Sequence, residues 1–301
     1  MCKIPVSKTQ IDRLGDRLKG GPHTESDLRL LDDYRRSFGE AYEVVLQTIR
    51  KRGEFPTGRL AKSTLSIAEK LRRESLRLSQ MQDIAGCRVV VGNVVAQEQF
   101  IASLITDFPK ASVIDRRNNP SYGYRAVHII AEISGKPIEI QVRTSLQHLW
   151  AEVSEKSSDV LDPTIKYGGG PESWRNRLTH SSKLVAAYEE WEKKHSIAVA
   201  SYEVWVAANE EWKKATEELL EYHLYMVQEF RGDPEASIRK MKFDKEDQQL
   251  RGKLEKSGRK MERAKQDEQE AQRKLRREWK RIADYLNKMI SWLDELKRQK
   301  Q

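Results

Sequence analysis

Cysteine is almost missing from this chain: only Cys2 and Cys87 occur in 301 residues, the second inside an apolar run. Two thiols so far apart supply neither a disulfide framework nor a cysteine zinc site. Long apolar runs are missing too. No stretch reaches the length that crosses a bilayer, and 34 % of the residues are charged, which excludes a membrane span. No apolar signal region marks the N-terminus, so the reducing cytoplasm is the expected compartment. The six histidines, at 23, 128, 148, 180, 195 and 223, show no paired metal-ligand spacing.

What is present is concentrated in Pro137-Ile138-Glu139-Ile140-Gln141-Val142-Arg143-Thr144. Strict alternation on a strand puts Glu139, Gln141 and Arg143 on one face and Ile138, Ile140 and Val142 on the other. A carboxylate, an amide and a guanidinium in one line suit a metal-bound polyphosphate, because the acid can hold Mg²⁺ while the arginine takes phosphate oxygens bidentately. A second strand is expected at Tyr122 to Ile130, joined to the first through Ser134-Gly135-Lys136-Pro137 as an antiparallel hairpin. Its alternation groups Tyr124, Ala126 and His128. A flat aromatic beside charges is what a nucleobase pocket requires, although on residue type alone half-buried packing is the commoner fate of such a tyrosine.

The run Met81-Gln82-Asp83-Ile84-Ala85-Gly86-Cys87-Arg88-Val89-Val90, then Tyr122-Gly123-Tyr124-Arg125-Ala126-Val127-His128, then Ile138 to Thr144, resembles the synthetase domain of the RelA/SpoT family. The resemblance covers about residues 59 to 156. It implies a mixed-sheet, nucleotidyltransferase-like α/β fold and an ATP-dependent pyrophosphokinase. Members of the family transfer the β,γ-pyrophosphate of ATP to a ribose 3′-hydroxyl, usually of GTP or GDP, to give (p)ppGpp, while a toxin branch modifies the 3′ end of tRNA. By resemblance, Asp83 and Glu139 handle Mg²⁺, and Glu139 also takes the proton of the attacking hydroxyl. Without its motif neighbours Asp83 would read as a cap.

Lys62, Ser66 and Lys70 recur every four residues, so they share one helical face, with Arg73 and Arg77 continuing it and Leu65, Ala68 and Leu71 turned to the core. Such a face is usually just solvated. The family binds ATP with a lysine, a serine and a lysine at this spacing, and Arg88 resembles its ATP-contacting arginine. Tyr124, Arg125, His128, Gln141, Arg143 and His148 are the expected acceptor-side residues.

Two departures concern details of that carry-over. Leu60 stands where the family commonly has arginine, with Arg59 one residue further back, and Ser121 follows Pro120 where alarmone synthetases often have lysine. Asp115, Arg116, Arg117 and Arg125 give the acceptor loop its own charge pattern.

After Thr144 the period becomes helical, with Leu146, Leu149, Trp150 and Val153 as the apolar stripe and His148, Glu152 and Glu155 opposite. Lys166-Tyr167-Gly168-Gly169-Gly170 reads as a flexible exit from the domain, with a phosphate contact as the alternative that no motif supports. Residues 1–58 read as a structural helix, beginning near Ser26-Asp27 and running through Leu28, Leu31, Tyr34, Phe38, Tyr42, Val45 and Ile49. Too few residues precede the motifs for a His/Asp hydrolase domain, so synthesis without hydrolysis is expected.

Residues 171–301 read as long charged helices, with apolar positions at Leu184, Tyr188, Trp191, Ile197, Tyr202, Trp205, Trp212, Leu219 and Leu220 and a break at Arg231-Gly232-Asp233-Pro234. Ala271, Leu275, Trp279, Ile282, Leu286, Met289, Leu293 and Leu296 have the spacing of a coiled-coil seam, buried by a folded-back hairpin or by homo-oligomerisation. Residues 239–301 hold 21 Lys and Arg against 12 Asp and Glu, a surplus equal to the +9 of the whole chain. Such an arm can bind tRNA or other RNA through phosphates, or an antitoxin partner; with acids interleaved throughout, it also reads as a solvated coiled-coil surface. Three functions remain open at this stage: a small alarmone synthetase, a toxin-like enzyme acting on tRNA, and an inactive domain whose arm is an interaction module.

Overall fold

The computed structural model describes residues 7–229 and 234–300. Its two compact units are residues 1–189 with 282–301, and residues 190–281.

The first unit is built on a mixed five-stranded sheet in the order β1-β2-β5-β4-β3, with β1 Thr57–Arg59, β2 Ala85–Val91, β3 Ser112–Asp115, β4 Val127–Ile133 and β5 Lys136–Thr144. Only β2 and β5 are parallel. β4 and β5 are joined by a two-residue turn in which Ser134 (φ 50°) and Gly135 (φ 73°) are both left-handed, the turn whose twist matches that of the strands. Register then decides chemistry. Gly86 pairs with Glu139, Arg88 with Gln141, His128 with Gln141 and Arg59 with Gly86. Directly paired residues share a face, so one side of the sheet gathers Arg59, Gly86, Arg88, Glu139, Gln141, Arg143 and His128. The other side carries Val89, Val91, Ile129, Ala131, Ile138, Ile140 and Val142, all buried in the main core.

That apolar face is covered in part by α3 (Gly39–Lys51) and α5 (Val94–Asp107), and the same core takes in Leu14, Leu18 and Leu31 from α1 (Lys8–Gly20) and α2 (Glu25–Arg36). The N-terminal segment is therefore three helices where one is expected. The chain breaks at Ser37-Phe38, where Phe38 turns wholly inward and meets Tyr34 edge to face at 5.2 Å. The cap of α2 is Thr24, whose hydroxyl accepts from the Asp27 amide while Asp27 bonds back, so Asp27 is the third helical residue of a capping box.

On the polar side, α4 (Thr64–Arg73) is shorter than its periodicity predicts. Ser63 caps it, and Glu74 is already extended. Ile67, Ala68 and Leu71 face the core, while Leu65, expected there, is 67 % exposed. α6 (Ser145–Val160) starts from Thr144 as its cap and buries Leu146, Trp150 and Val153.

Beyond it lie α7 (Glu172–Glu229) and α8 (Pro234–Gln299). Within the first unit, Trp174 of α7 stacks on Trp292 of α8 at 5.2 Å, Lys156 pairs with Asp294, and Ile282, Leu286, Met289 and Leu293 are buried. Within the second unit, Leu275 is buried and Met261, Ala264, Ala271 and Glu278 are half-buried. The seam position is therefore Glu278; Trp279, expected there, is exposed. The break at Arg231-Gly232-Asp233, Cys2, and the side chains of Tyr202, Trp205, Trp212, Leu219 and Leu220 lie outside the described residues. No helix among the described residues is long and apolar enough to cross a membrane.

Candidate active site

Two clefts open on the polar face and share a floor. The first, about 570 Å³, is lined by Arg59, Lys62, Ser66, Lys70, Arg73, Asp83, Gly86, Arg88, Glu139, Gln141, Arg143 and Glu155, among others. The second, about 650 Å³, shares Lys70, Arg73, Asp83, Glu139, Gln141, Arg143 and Glu155 and adds Gln82, Arg116, Tyr122, Tyr124 and His128. Lys166 and Tyr167 line both.

Asp83 sits just before β2 between two ammonium groups. Lys62 Nζ donates to its Oδ2 at 2.7 Å and Lys70 Nζ to its Oδ1 at 2.9 Å. Lys62 precedes α4 rather than lying on it, and its own N–H is held by the carbonyl of Ile84, the residue after Asp83. Burial pushes the Asp83 carboxyl up, but Lys62 and Lys70 outweigh it and hold Asp83 below the usual 3.8.

Glu139 closes a ring of side chains. Its Oε1 lies 2.8 Å from His128 Nδ1 and its Oε2 takes Gln141 Nε2 at 2.8 Å. Arg143 Nη2 donates to Gln141 Oε1 at 2.8 Å and to the Tyr124 hydroxyl at 2.9 Å, and that hydroxyl is 2.9 Å from His128 Nε2. Burial raises the Glu139 carboxyl, yet the hydrogen bond with His128, helped by that of Gln141, brings it below 4.5 in spite of the nearby Asp83 charge. Gly86 makes room for this group: a Cβ there would stand 2.8 Å from the Glu139 carbonyl oxygen and 3.3 Å from its Cβ.

Arginines complete the first cleft. Arg88 and Arg143 share Glu155 at 3.9 and 4.0 Å, and Arg143 keeps Nε and Nη1 buried without a hydrogen-bond partner. Buried guanidinium donors left open in a cleft are suited to phosphate oxygens. Burial and the neighbouring Arg143 lower the Arg88 pKa.

The expected site residues therefore fall into two groups. Asp83, Glu139, Lys62, Ser66, Lys70, Arg73, Arg88, Gln141 and Arg143 meet on the first cleft, and Tyr124 and His128 join the second. Arg77, Arg125 and His148 line neither. Arg77 follows the end of α4, is 74 % exposed and lies 3.9 Å from Asp12. Arg125 turns away to the buried Glu189 of α7 at 3.3 Å. His148 stands 3.7 Å from Glu152, its pKa lowered by burial despite that carboxylate.

Tyr124 does not alternate with His128 on a strand as expected. Tyr122 (φ 52°) and Gly123 (φ 91°) turn the chain, the Tyr124 N–H bonds the Ser121 carbonyl, and β4 begins only at Val127. Sequence reasoning named Arg59, Arg116, Glu155, Lys166 and Tyr167 but counted none of them among the site residues. The interleaved signs of Glu155 and its neighbours look like a solvated helix face, and only the sheet register brings Glu155 over Arg88 and Arg143.

No group of three or more His, Cys, Asp or Glu able to hold a metal occurs among the described residues. Mg²⁺ does not need one, because one or two carboxylates suffice when phosphates and water supply the other oxygens. Asp83 and Glu139 fit that donor set: both are held ionised, and each oxygen accepts a single hydrogen bond that leaves a lone pair.

The family model described as "Region found in RelA / SpoT proteins" matches residues 58–158. The uncharacterised protein Rv1366 of Mycobacterium tuberculosis is 37 % identical over 116 residues, which are 37 % of this chain and 42 % of that protein. The probable GTP diphosphokinase RSH2, chloroplastic, of Arabidopsis thaliana is 29 % identical over 159 residues, 50 % of this chain and 22 % of that one. Among solved structures, small alarmone synthetase 1 from Bacillus subtilis is similar with a TM-score of 0.44 at 27 % identity, over 59 % of this chain and 100 % of that one. The chain thus spans less than half the length of the curated relatives it matches. The segment that carries both carboxylates and the polar sheet face is the part of the chain that matches the RelA/SpoT region.

Proposed function

We propose that this chain is a pyrophosphokinase that moves the β,γ-pyrophosphate of ATP to the 3′-hydroxyl of GTP or GDP, giving (p)ppGpp. The observation that carries the reading is the pair of clefts that meet at Asp83 and Glu139, one lined by cations and the other opening on Tyr124. A two-substrate transfer needs two pockets with the reacting atoms at their junction.

ATP occupies the first cleft, its triphosphate against Lys62, Lys70, Arg73, Arg88 and the open donors of Arg143. The acceptor base stacks beside Tyr124 in the second cleft. Mg²⁺, held by Asp83, Glu139 and phosphate oxygens, would neutralise charge on the transferred group. Glu139 accepts the proton of the 3′-hydroxyl, the 3′-oxygen bonds to the β-phosphorus, and the bond from that phosphorus to the α,β-bridging oxygen breaks. AMP leaves, and the positive side chains take up the charge that develops. The ring through His128, Gln141, Arg143 and Tyr124 fixes the Glu139 carboxylate, so its free lone pairs keep one orientation.

A second acceptor, the 3′ end of tRNA, is supported by Ser121 in place of the usual lysine and by the exposed run Arg273, Lys274, Arg276, Arg277, Lys280 and Arg281. An inactive interaction module is disfavoured by the pairing of two ionised carboxylates in one cleft, which binding alone does not require. The test is AMP release from ATP and Mg²⁺. It should depend on added GTP or GDP and match the phosphorylated product one to one; release of ADP and inorganic phosphate instead would contradict the reading.

A further inference from the structure

We propose that Lys166 binds the pyrophosphoryl group in transit, and that Tyr167 fixes the Arg73 guanidinium beside it. The inference rests on the pyrophosphokinase reading and adds residues from a segment outside the three sequence motifs. A group that passes from a nucleotide in one cleft to a nucleotide in the other must cross the space common to both. Four cations line both clefts: Lys70, Arg73, Arg143 and Lys166. Three have partners already, Lys70 on Asp83, Arg143 in the ring around Glu139, and Arg73 on Glu74 at 2.8 Å. The Lys166 ammonium meets no carboxylate among the described residues and lies 6.0 Å from the Tyr167 ring.

The backbone beneath Lys166 is fixed. Ile165–Tyr167 forms a 3-10 turn whose Ile165 is buried, and the Lys166 N–H is held by Ser158 Oγ at 3.2 Å. Gly168 then adopts φ 84°, and a Cβ there would collide with the Tyr122 ring, so the glycine lets this segment and the turn of the second cleft meet. A lysine on a fixed backbone, free only in its side chain, can follow a phosphate as it moves. Tyr167 contributes its ring, over which the Arg73 guanidinium stands at 3.8 Å.

The test uses the full chain, with initial rates in ATP and acceptor and with calorimetric binding of inorganic pyrophosphate. Lys166→Ala should lower kcat about 10- to 100-fold with both KM values nearly unchanged, because the contact strengthens as charge develops. It should weaken pyrophosphate binding about tenfold and leave Tm unchanged, since the side chain is exposed. Lys166→Arg should restore most of both. Tyr167→Phe should match the wild type, and Tyr167→Ala should lose part of kcat. Wild-type kcat and pyrophosphate affinity in Lys166→Ala would overturn the inference and leave the proposed function standing. If the wild type transfers nothing, the proposed function fails, and unchanged pyrophosphate affinity in the variant would then remove Lys166 as a phosphate ligand as well.

Discussion

His128 and Glu139 are diagonal neighbours across the β4–β5 ladder, and the 2.8 Å between Nδ1 and Oε1 orients both groups. With the histidine proton on Nδ1, every bond of the ring is satisfied: Arg143 donates to Tyr124 and Gln141, Tyr124 donates to Nε2, and Nδ1 and Gln141 donate to Glu139. Both nitrogens of His128 are thereby used within the protein. Under the proposed function its part is to position Glu139 and Tyr124.

Replacing His128 by Ala should therefore lower kcat about 10- to 100-fold with little change in KM for ATP. His128→Asn, which can still donate to Glu139, should recover part of that loss. A rise in acceptor KM with kcat unchanged would place His128 in direct contact with substrate instead.

Glu139→Gln keeps the shape of the carboxylate and removes its charge and basicity. Transfer should fall by at least about 10³-fold while ATP binding, followed by calorimetry without turnover, stays within a few-fold. Near-normal turnover would remove Glu139 from the chemistry.

Tyr124 separates two roles by two substitutions. Tyr124→Phe keeps the ring face and opens the hydrogen-bonded circuit, so kcat should fall more than acceptor affinity. Tyr124→Ala also removes stacking and should raise acceptor KM about tenfold, with ATP affinity preserved.

Asp83→Asn leaves Lys62 and Lys70 facing each other across a neutral amide, at a cost of about 1–3 kcal/mol of stability. Asp83 titrates below its ordinary 3.8 in the native state. Its contribution is complete above that value and is lost as pH falls through the lower native pKa. Acid unfolding of Asp83→Asn, followed by circular dichroism, should therefore show a shallower loss of stability below about pH 4.

Glu189 tests the anchoring of the second cleft. It accepts from Thr144 at 2.9 Å, from Gln147 at 2.7 Å and from Arg125, while Ser182 of the same helix holds the Gly123 carbonyl. Glu189→Ala strands the buried donors of Thr144 and Gln147 and the half-buried Arg125, and should cost about 2–4 kcal/mol. Burial raises the Glu189 pKa above 4.5 in spite of Arg125. The stability linked to its protonation is thus present below 4.5 and lost as pH rises through the native value, a slope that Glu189→Gln should abolish in denaturant titrations.

Much of the site was legible in the sequence because period-two alternation is a direct consequence of strand geometry: Glu139, Gln141 and Arg143 share a face wherever that stretch is extended. Gly86 beside Asp83 was legible only as part of a motif; its reason, the close approach of Glu139, appears with the β2–β5 register. Arg77 was misplaced because spacing of four continues on paper after a helix has ended, and Glu74 ends this one. Tyr122 at φ 52° has no composition cue, so the turn before Tyr124 was hidden in an apparent strand. The glycine run after Tyr167 looks like a linker, but Gly168 and Gly169 are required by the approach of Tyr122 and Thr164. On α8 the larger apolar residue, Trp279, drew the seam one position away from Glu278, where the helix places it.

The most direct test of the account is to incubate the purified full chain with γ-labelled ATP and Mg²⁺, offer GDP, GTP and deacylated tRNA in parallel, and follow the label. The account predicts label in a guanosine 3′-pyrophosphate, with AMP as the second product. Label on tRNA alone, or on none of the three, would contradict it.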